Sequence, residues 1–172
     1  MDLIQSLKEQ AKGLGKKIVL PEFEDSRVIE AAAAILKEGF CVPVLVGAED
    51  KIQAAATAAG VSLEGAEIIN PATFGELRAK KGMTPEKAHA TMTGDALFFG
   101  AMLVRLGLAD GMVAGSASPT ANVLRAAIQV VGTQAGLKTV SSSMLVITDK
   151  KEYGDNGLLI FSDCGVIPNP TS

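Results

Sequence analysis

Four short apolar runs recur along the chain: KIVLPE from Lys17, CVPVLVG from Cys41, AEIINP from Ala66 and ADGMVAG from Ala109. Each is too short for a helix and lacks the apolar–polar alternation of a half-exposed strand. A strand that is apolar throughout has to be buried on both faces, which calls for helices on both sides of a mostly parallel sheet. The expected fold class is therefore α/β, a doubly wound, mostly parallel sheet with helices on both faces.

The segments between the runs have helical spacing. Leu3 to Leu14 is amphipathic and is ended by Gly13 and Gly15. Asp25 or Ser26 caps a helix over Arg27 to Lys37, which Gly39 closes. A capped helix is expected over Asp50 to Ala59 and a short one within TFGELRAKKG from Thr73. Thr84 caps the next, with Pro85 at its first position, and Gly94 to Leu106 is a further apolar helix. Two strand-like runs, Thr139 to Thr148 and Gly157 to Ser162, end the chain. They are joined by DKKEYGDNG, whose Asp-Asn-Gly is a hairpin-type turn. This pair breaks the strand–helix rhythm. The expected division is a first α/β domain over residues 1–137, lacking a C-terminal return segment, and the truncated start of a second α/β domain over residues 138–172.

With 172 residues, 48% of them apolar, the chain buries enough surface to need no disulfide or metal staple. A net charge of -3 without a basic run argues against nucleic acid or an anionic membrane as partner. No apolar run approaches the roughly 20 residues of a membrane span. Cys41 and Cys164 lie far apart and form no metal motif, so no metal is expected. No charged-then-apolar leader opens the chain, so a cytoplasmic location with reduced thiols is expected.

The stretch from Ala109 to Val131 passes from an apolar strand through Gly115, Ser116, Ala117, Ser118, Pro119 and Thr120 into a helix. Ligands of open parallel sheets sit beyond the carboxyl ends of the strands, and small residues there let a ligand approach the backbone. Pro119 suits the first helical position, which makes Ser118 the expected cap. The exposed amides of a helix start, with the Ser116, Ser118 and Thr120 hydroxyls, form a potential anion site. Ser118, Asn122, Arg125 and Gln129 follow at +4, +3 and +4, a polar stripe on an otherwise apolar helix. Helical side chains lean toward the helix start, so Arg125 can reach back to a phosphate held there. A solvated face with a good cap fits the same spacing equally well.

The remaining candidates read more plainly. Arg78, Lys80 and Lys81 cluster before Gly82 as a solvated helix end or a contact for a phosphate-rich ligand tail. Glu22, Glu24 and Asp25 follow the first strand, where capping and loop solvation outweigh acid–base or metal work. His89, the only histidine, sits within a helix without a partner motif. SSSM from Ser141 has no nucleophile elbow around it, and Cys164 is a lone thiol. Neither a Walker loop nor G-x-G-x-x-G is present.

Four segments in order, KKIVLPEFEDSRVIEAA, ELRAKKGMTPEKA, ADGMVAGSASPTANVLRAAIQVVGT and EYGDNGLLIFSDCGVIPNPT, cover most of the chain. In them the sequence resembles the phosphate acetyltransferase (phosphotransacetylase) family. The resemblance implies two α/β domains with a cleft between them, related to isocitrate and isopropylmalate dehydrogenases. It implies reversible acetyl transfer between acetyl-CoA and inorganic phosphate, giving acetyl phosphate and coenzyme A. Coenzyme A enters as substrate, with no tightly bound cofactor, and a cytoplasmic homodimer is expected. The family's arginine in the helix after the small-residue loop matches Arg125, implicated in holding phosphate or coenzyme A. Its arginine in the LR-containing segment matches Arg78, implicated in coenzyme A binding. Ser118 and Thr120 match its hydroxyl residues, although many members carry histidine where this chain has Ser118.

Family members run to roughly twice this length, and their later half holds a Ser-Arg pair and an aspartate proposed as base toward the thiol. The resemblance thus implies a front half that binds ligand and turns over weakly or not at all by itself. A phosphate butyryltransferase-type enzyme and a noncatalytic phosphate/coenzyme A-binding module are the competing readings.

Overall fold

The structure, a computed structural model, describes residues 3–73, 94–137 and 139–162. The chain divides into two compact units, Met1–Gly132 and Thr133–Ser172.

In the first unit, α1 (Leu3–Ala11) leads into β1 (Lys17–Leu20), α2 (Ser26–Glu38), β2 (Val42–Val46), α3 (Glu49–Ala59) and β3 (Glu67–Ile69). After them come α4 (Ala96–Arg105), β4 (Gly111–Met112) and α5 (Thr120–Ala126), which runs on as a π-helical turn, Ala127–Val131. The four strands form one parallel sheet in the order β3-β2-β1-β4. The alternation of the strands assigns each side chain to a layer. Val19, Val44 and Val46 face α4, where they meet Phe99 and Leu103. Leu20 and Leu45 face the other way, onto Ile29 and Ala32 of α2 and Ile52 and Ala56 of α3. Each fully buried aliphatic or aromatic side chain here contributes about 1.5–3 kcal/mol. The continuous apolar runs thus give a sheet covered by helices on both faces.

α4 is apolar around most of its circumference because it is covered twice. Phe99 and Leu103 meet the sheet, while Leu97 and Ala101 meet Ala126 of α5. Gly100 makes the first contact close: a Cβ there would lie 2.8 Å from Met112 Sδ and 3.1 Å from Val19 Cγ1.

Local signals set several boundaries. Asp25 caps α2, accepting the Arg27 amide at 3.0 Å, and Gly39 ends it in the left-handed region at φ 72°. Other boundaries differ from the sequence reading. α1 stops at Ala11 because Gly13 (φ 81°) turns the chain away. α3 has no side-chain cap, since Ala48 precedes it; Glu49 and Asp50 in its first turn favour its positive end instead. β4 is only two residues long, because Gly115 at φ 107° redirects the chain soon after it. The helices expected within Thr73 to Gly82 and after Thr84 fall almost wholly outside the described residues.

In the second unit, β5 (Ser143–Ile147) and β6 (Leu158–Ser162) pair antiparallel, Ser143 opposite Ser162 and Ile147 opposite Leu158. The expected turn is present: Asn156 (φ 53°) and Gly157 (φ 87°) take the positive values of a type I′ connection. Asp155 and Leu158 exchange both backbone hydrogen bonds at 3.0 Å across it.

Candidate functional site

β2 and β3 lie on one side of β1 and β4 on the other, so the strand order reverses between β1 and β4. Beyond the carboxyl ends of strands at such a reversal, open sheets bind ligands. Here β1 exits through Pro21, Glu22, Phe23, Glu24 and Asp25, and β4 exits through the small-residue loop.

The two exits are tied together by Glu22. Its carboxylate accepts the Gly115 amide at 2.6 Å, the Ser116 amide at 2.9 Å, the Ser116 hydroxyl at 3.1 Å and the Ala117 amide at 3.3 Å. Glu22 is only 6% exposed. Burial pushes its pKa up, but hydrogen bonds from the Ser118 hydroxyl, the Gly115 and Ser116 amides and the Ser116 hydroxyl outweigh it and lower the value to about 2. The side chain is a carboxylate at any physiological pH. A second tie lies beside it: the Arg27 guanidinium donates to the Ser116 carbonyl at 2.8 Å and pairs with Asp25 at 2.6 Å.

This arrangement corrects the sequence reading on the start of the helix and adds a contact to the loop before it. The amides of Gly115, Ser116 and Ala117, which precede the helix, converge on an internal anion. The Ser116 hydroxyl also donates to Glu22, which leaves its oxygen as an acceptor. Ser118 is not the cap. Pro119 has φ -59° but an extended ψ of 143°, so it stands at the cap position and α5 begins at Thr120. The pyrrolidine ring fixes φ and leaves ψ free, and the loop held by Glu22 decides it.

The other candidates fall in three places. Thr120 is exposed at the first position of α5. Arg125 is exposed one turn along, and its Nη1 donates to Asn122 Oδ1 at 3.2 Å. The Asn122–Arg125 portion of the expected stripe is present, and the guanidinium leans toward the helix start; Ser118 stands before the helix and Gln129 lies in the π-helical turn. Arg78, Lys80, Lys81, His89 and Cys164 lie outside the described residues. Cys41 sits at the opposite, amino-terminal end of β2, with burial raising its thiol pKa.

Among the described residues, hollows open at this end of the sheet. One, of about 390 Å3, lies over the reversal point between Pro21, Glu22, Glu24, Asp95, Leu97 and Ser118. Another, of about 210 Å3, lies over β2 and β3, with Phe23, Gly47, Lys51, Pro71 and Phe99 in its wall. Among the described residues no cation lines the first. Two of its carboxylates are already engaged, Glu22 as above and Asp95 as the cap of α4, accepting the Leu97 amide at 2.8 Å. Among the described residues no group of three or more His, Cys, Asp or Glu is placed to hold a metal ion, and no helix is long and apolar enough to cross a membrane.

The sequence reading missed the clamp made by Glu22 and Arg27. Its only trace is an acidic residue at the exit of one strand and a small-residue loop at the exit of another, and nothing local links them.

The family model for phosphate acetyl/butaryl transferase matches residues 2–172. The phosphate acetyltransferases of Thermoanaerobacterium thermosaccharolyticum and Clostridium acetobutylicum are each 43% identical over 182 residues, covering 100% of this chain and 55% and 54% of their own. A phosphotransacetylase from Streptococcus pyogenes has a related structure, with a TM-score of 0.79 at 30% identity over 99% of this chain and 54% of that one. The EutD phosphotransacetylase from Staphylococcus aureus gives 0.77 at 33% identity, over 98% and 52%. The chain spans about half the length of these relatives. With a parallel sheet reversed at β1 and β4, and a match that runs its whole length, the chain belongs to the phosphate acetyl/butaryl transferase family.

Proposed function

We propose that this chain serves acetyl transfer between coenzyme A and inorganic phosphate, supplying the ligand-binding side of the site. The observation that carries the reading is the family match along the entire chain. In the reaction the coenzyme A thiolate attacks the carbonyl carbon of acetyl phosphate. The new C–S bond forms as the C–O bond to phosphate breaks, and inorganic phosphate leaves; the reverse sends phosphate against the thioester. Holding two anionic reactants in line supplies up to roughly 7–11 kcal/mol of the barrier in the best cases, and donors aimed at developing oxygen charge supply more.

Within this reading, Arg125 grips phosphate or the phosphates of coenzyme A, and Thr120 adds a donor at the start of α5. Ser116 and Ser118 shape the wall, and Arg78 meets coenzyme A. Coenzyme A is a substrate rather than a resident cofactor, and the working form is a cytoplasmic homodimer. Because the relatives are about twice as long, the 172 residues by themselves bind ligand and turn over weakly or not at all.

The test is a coupled acetyl-CoA assay on the chain, alone and with Arg125→Ala, alongside calorimetric titration with coenzyme A and phosphate. Binding without appreciable turnover, weakened by Arg125→Ala, is expected. Full turnover by the chain alone overturns the division of labour, and absence of any binding overturns the reading. Butyryl phosphate as competitor separates the acetyl from the butyryl reading, since each added methylene is worth about 1–3 kcal/mol in a fitted pocket.

A further inference from the structure

The loop between β4 and α5 carries Ser116 and Ser118 and ends at Pro119, from which α5 and Arg125 are launched. Three of its successive amides point the same way, at one carboxylate. Peptide dipoles aligned in this fashion repel one another unless an anion sits at their focus. The loop's shape therefore depends on that anion, and the chain supplies it from the far side of the strand reversal, as Glu22. The Arg27–Ser116 hydrogen bond fastens the same loop from α2.

We propose that Glu22 is a positioning residue: by filling the amide nest of Gly115, Ser116 and Ala117 it fixes the start of α5, and with it the placement of Thr120 and Arg125 toward phosphate or coenzyme A. Glu22 does not touch the ligand in this scheme. Its Oε2 already accepts three hydrogen bonds and its Oε1 one, and its negative charge would oppose a phosphate brought against it. Without it, the three amides lose their focus, the loop opens, and the helix start moves with Pro119. The proposal rests on the reading that residues after β4 take an anionic ligand.

The experiment compares the 172-residue chain with Glu22→Gln and Glu22→Ala, titrating coenzyme A and, separately, inorganic phosphate, while amide hydrogen exchange is followed. Glu22→Gln keeps the shape but puts an N–H2 donor among donors. It should raise the coenzyme A Kd tenfold or more and deprotect the amides of Gly115 to Ala117 well beyond any change in β1, β2 and α2. In Glu22→Ala, millimolar formate should refill the nest and restore coenzyme A binding to within a few-fold of the parent. That recovery is one a general loss of fold would not show. If Glu22→Gln fails to fold, Glu22→Asp replaces it: the charge is kept, the reach is shorter, and weaker binding is again expected. Variants that bind coenzyme A as tightly as the parent, or more tightly, overturn the proposal while the site reading stands. A parent chain that binds neither probe overturns the site reading, and the proposal falls with it.

Discussion

Glu22 shows what a buried charge requires. At 6% exposure a carboxylate is retained only when hydrogen-bond donors replace its water. Here they replace it well enough to lower its pKa from 4.5 to about 2. The sign follows. Above its ordinary value the group is charged in both folded and unfolded chains, and its stabilisation is complete. As pH falls from 4.5 toward 2 the unfolded chain takes the proton first, and the stabilisation is lost. Asp25, held low chiefly by Arg27, and Asp110, held low chiefly by Lys16, weaken over the same acid range, so a melting curve of the parent alone does not isolate Glu22. The difference between parent and Glu22→Gln does. Charge-assisted hydrogen bonds contribute about 1.5–3 kcal/mol, and we expect a stability gap of that order at neutral pH. The gap should hold down to about pH 5 and narrow on further acidification; a constant gap down to pH 3 would falsify the assignment. Arg125 is the opposite case. It is exposed and bonded only to Asn122 among the hydrogen bonds seen here. Arg125→Ala should therefore change stability by no more than about 0.5 kcal/mol while weakening coenzyme A binding roughly ten- to a hundredfold. Thermal melts set beside calorimetry check both halves of that expectation.

At the scale of elements, α4 is the piece on which the first unit turns, since the sheet and α5 both pack against it. Its approach to β1 depends on Gly100 having no side chain. Gly100→Val brings branched carbon against Val19 and Met112, and overpacking of this kind costs about 1–3 kcal/mol. We expect a lowered melting temperature with α5 loosened along with α4, read as faster exchange of the Val123 and Ala126 amides. Unchanged stability would mean that the contact relaxes freely. What the sequence disclosed about elements follows one rule. Features fixed by neighbours in the chain were legible: the Asp25 cap, the Gly39 stop, the Asn156–Gly157 turn and the apolar strands. Features fixed by distant residues were not. Glu22 and Gly115 are 93 positions apart, and no local pattern pairs them. The same clamp explains why the helix begins at Thr120 and not at Pro119, for a proline's φ is written in the sequence and its ψ is not. The widening of α5 into a π-helical turn at Ala127–Val131 has no signal in the residues that we can name.

For the whole molecule, the hairpin of the second unit poses the sharper question. Residues directly opposite in an antiparallel pair share a face. One face of the hairpin therefore carries Met144, Val146, Leu159 and Phe161, and the other Leu145, Ile147, Leu158 and Ile160. Both are apolar, the pattern of strands meant for cover on both sides, yet Met144, Leu145, Ile147, Ile160 and Phe161 are 46–68% exposed. Side chains of this size, near half exposed, present on the order of several hundred Å2, the range in which a surface becomes an interface. The 172-residue polypeptide in isolation should consequently associate as its concentration rises, with light scattering giving masses above the 17.7 kDa monomer. Ile160→Lys places a charge at the most exposed of these positions and should shift the association to markedly higher concentration, whereas a lysine at exposed Glu30 of α2 should leave it where it was. A chain that stays monomeric throughout, or one whose association ignores Ile160→Lys, would show that the hairpin faces are not what draws copies together.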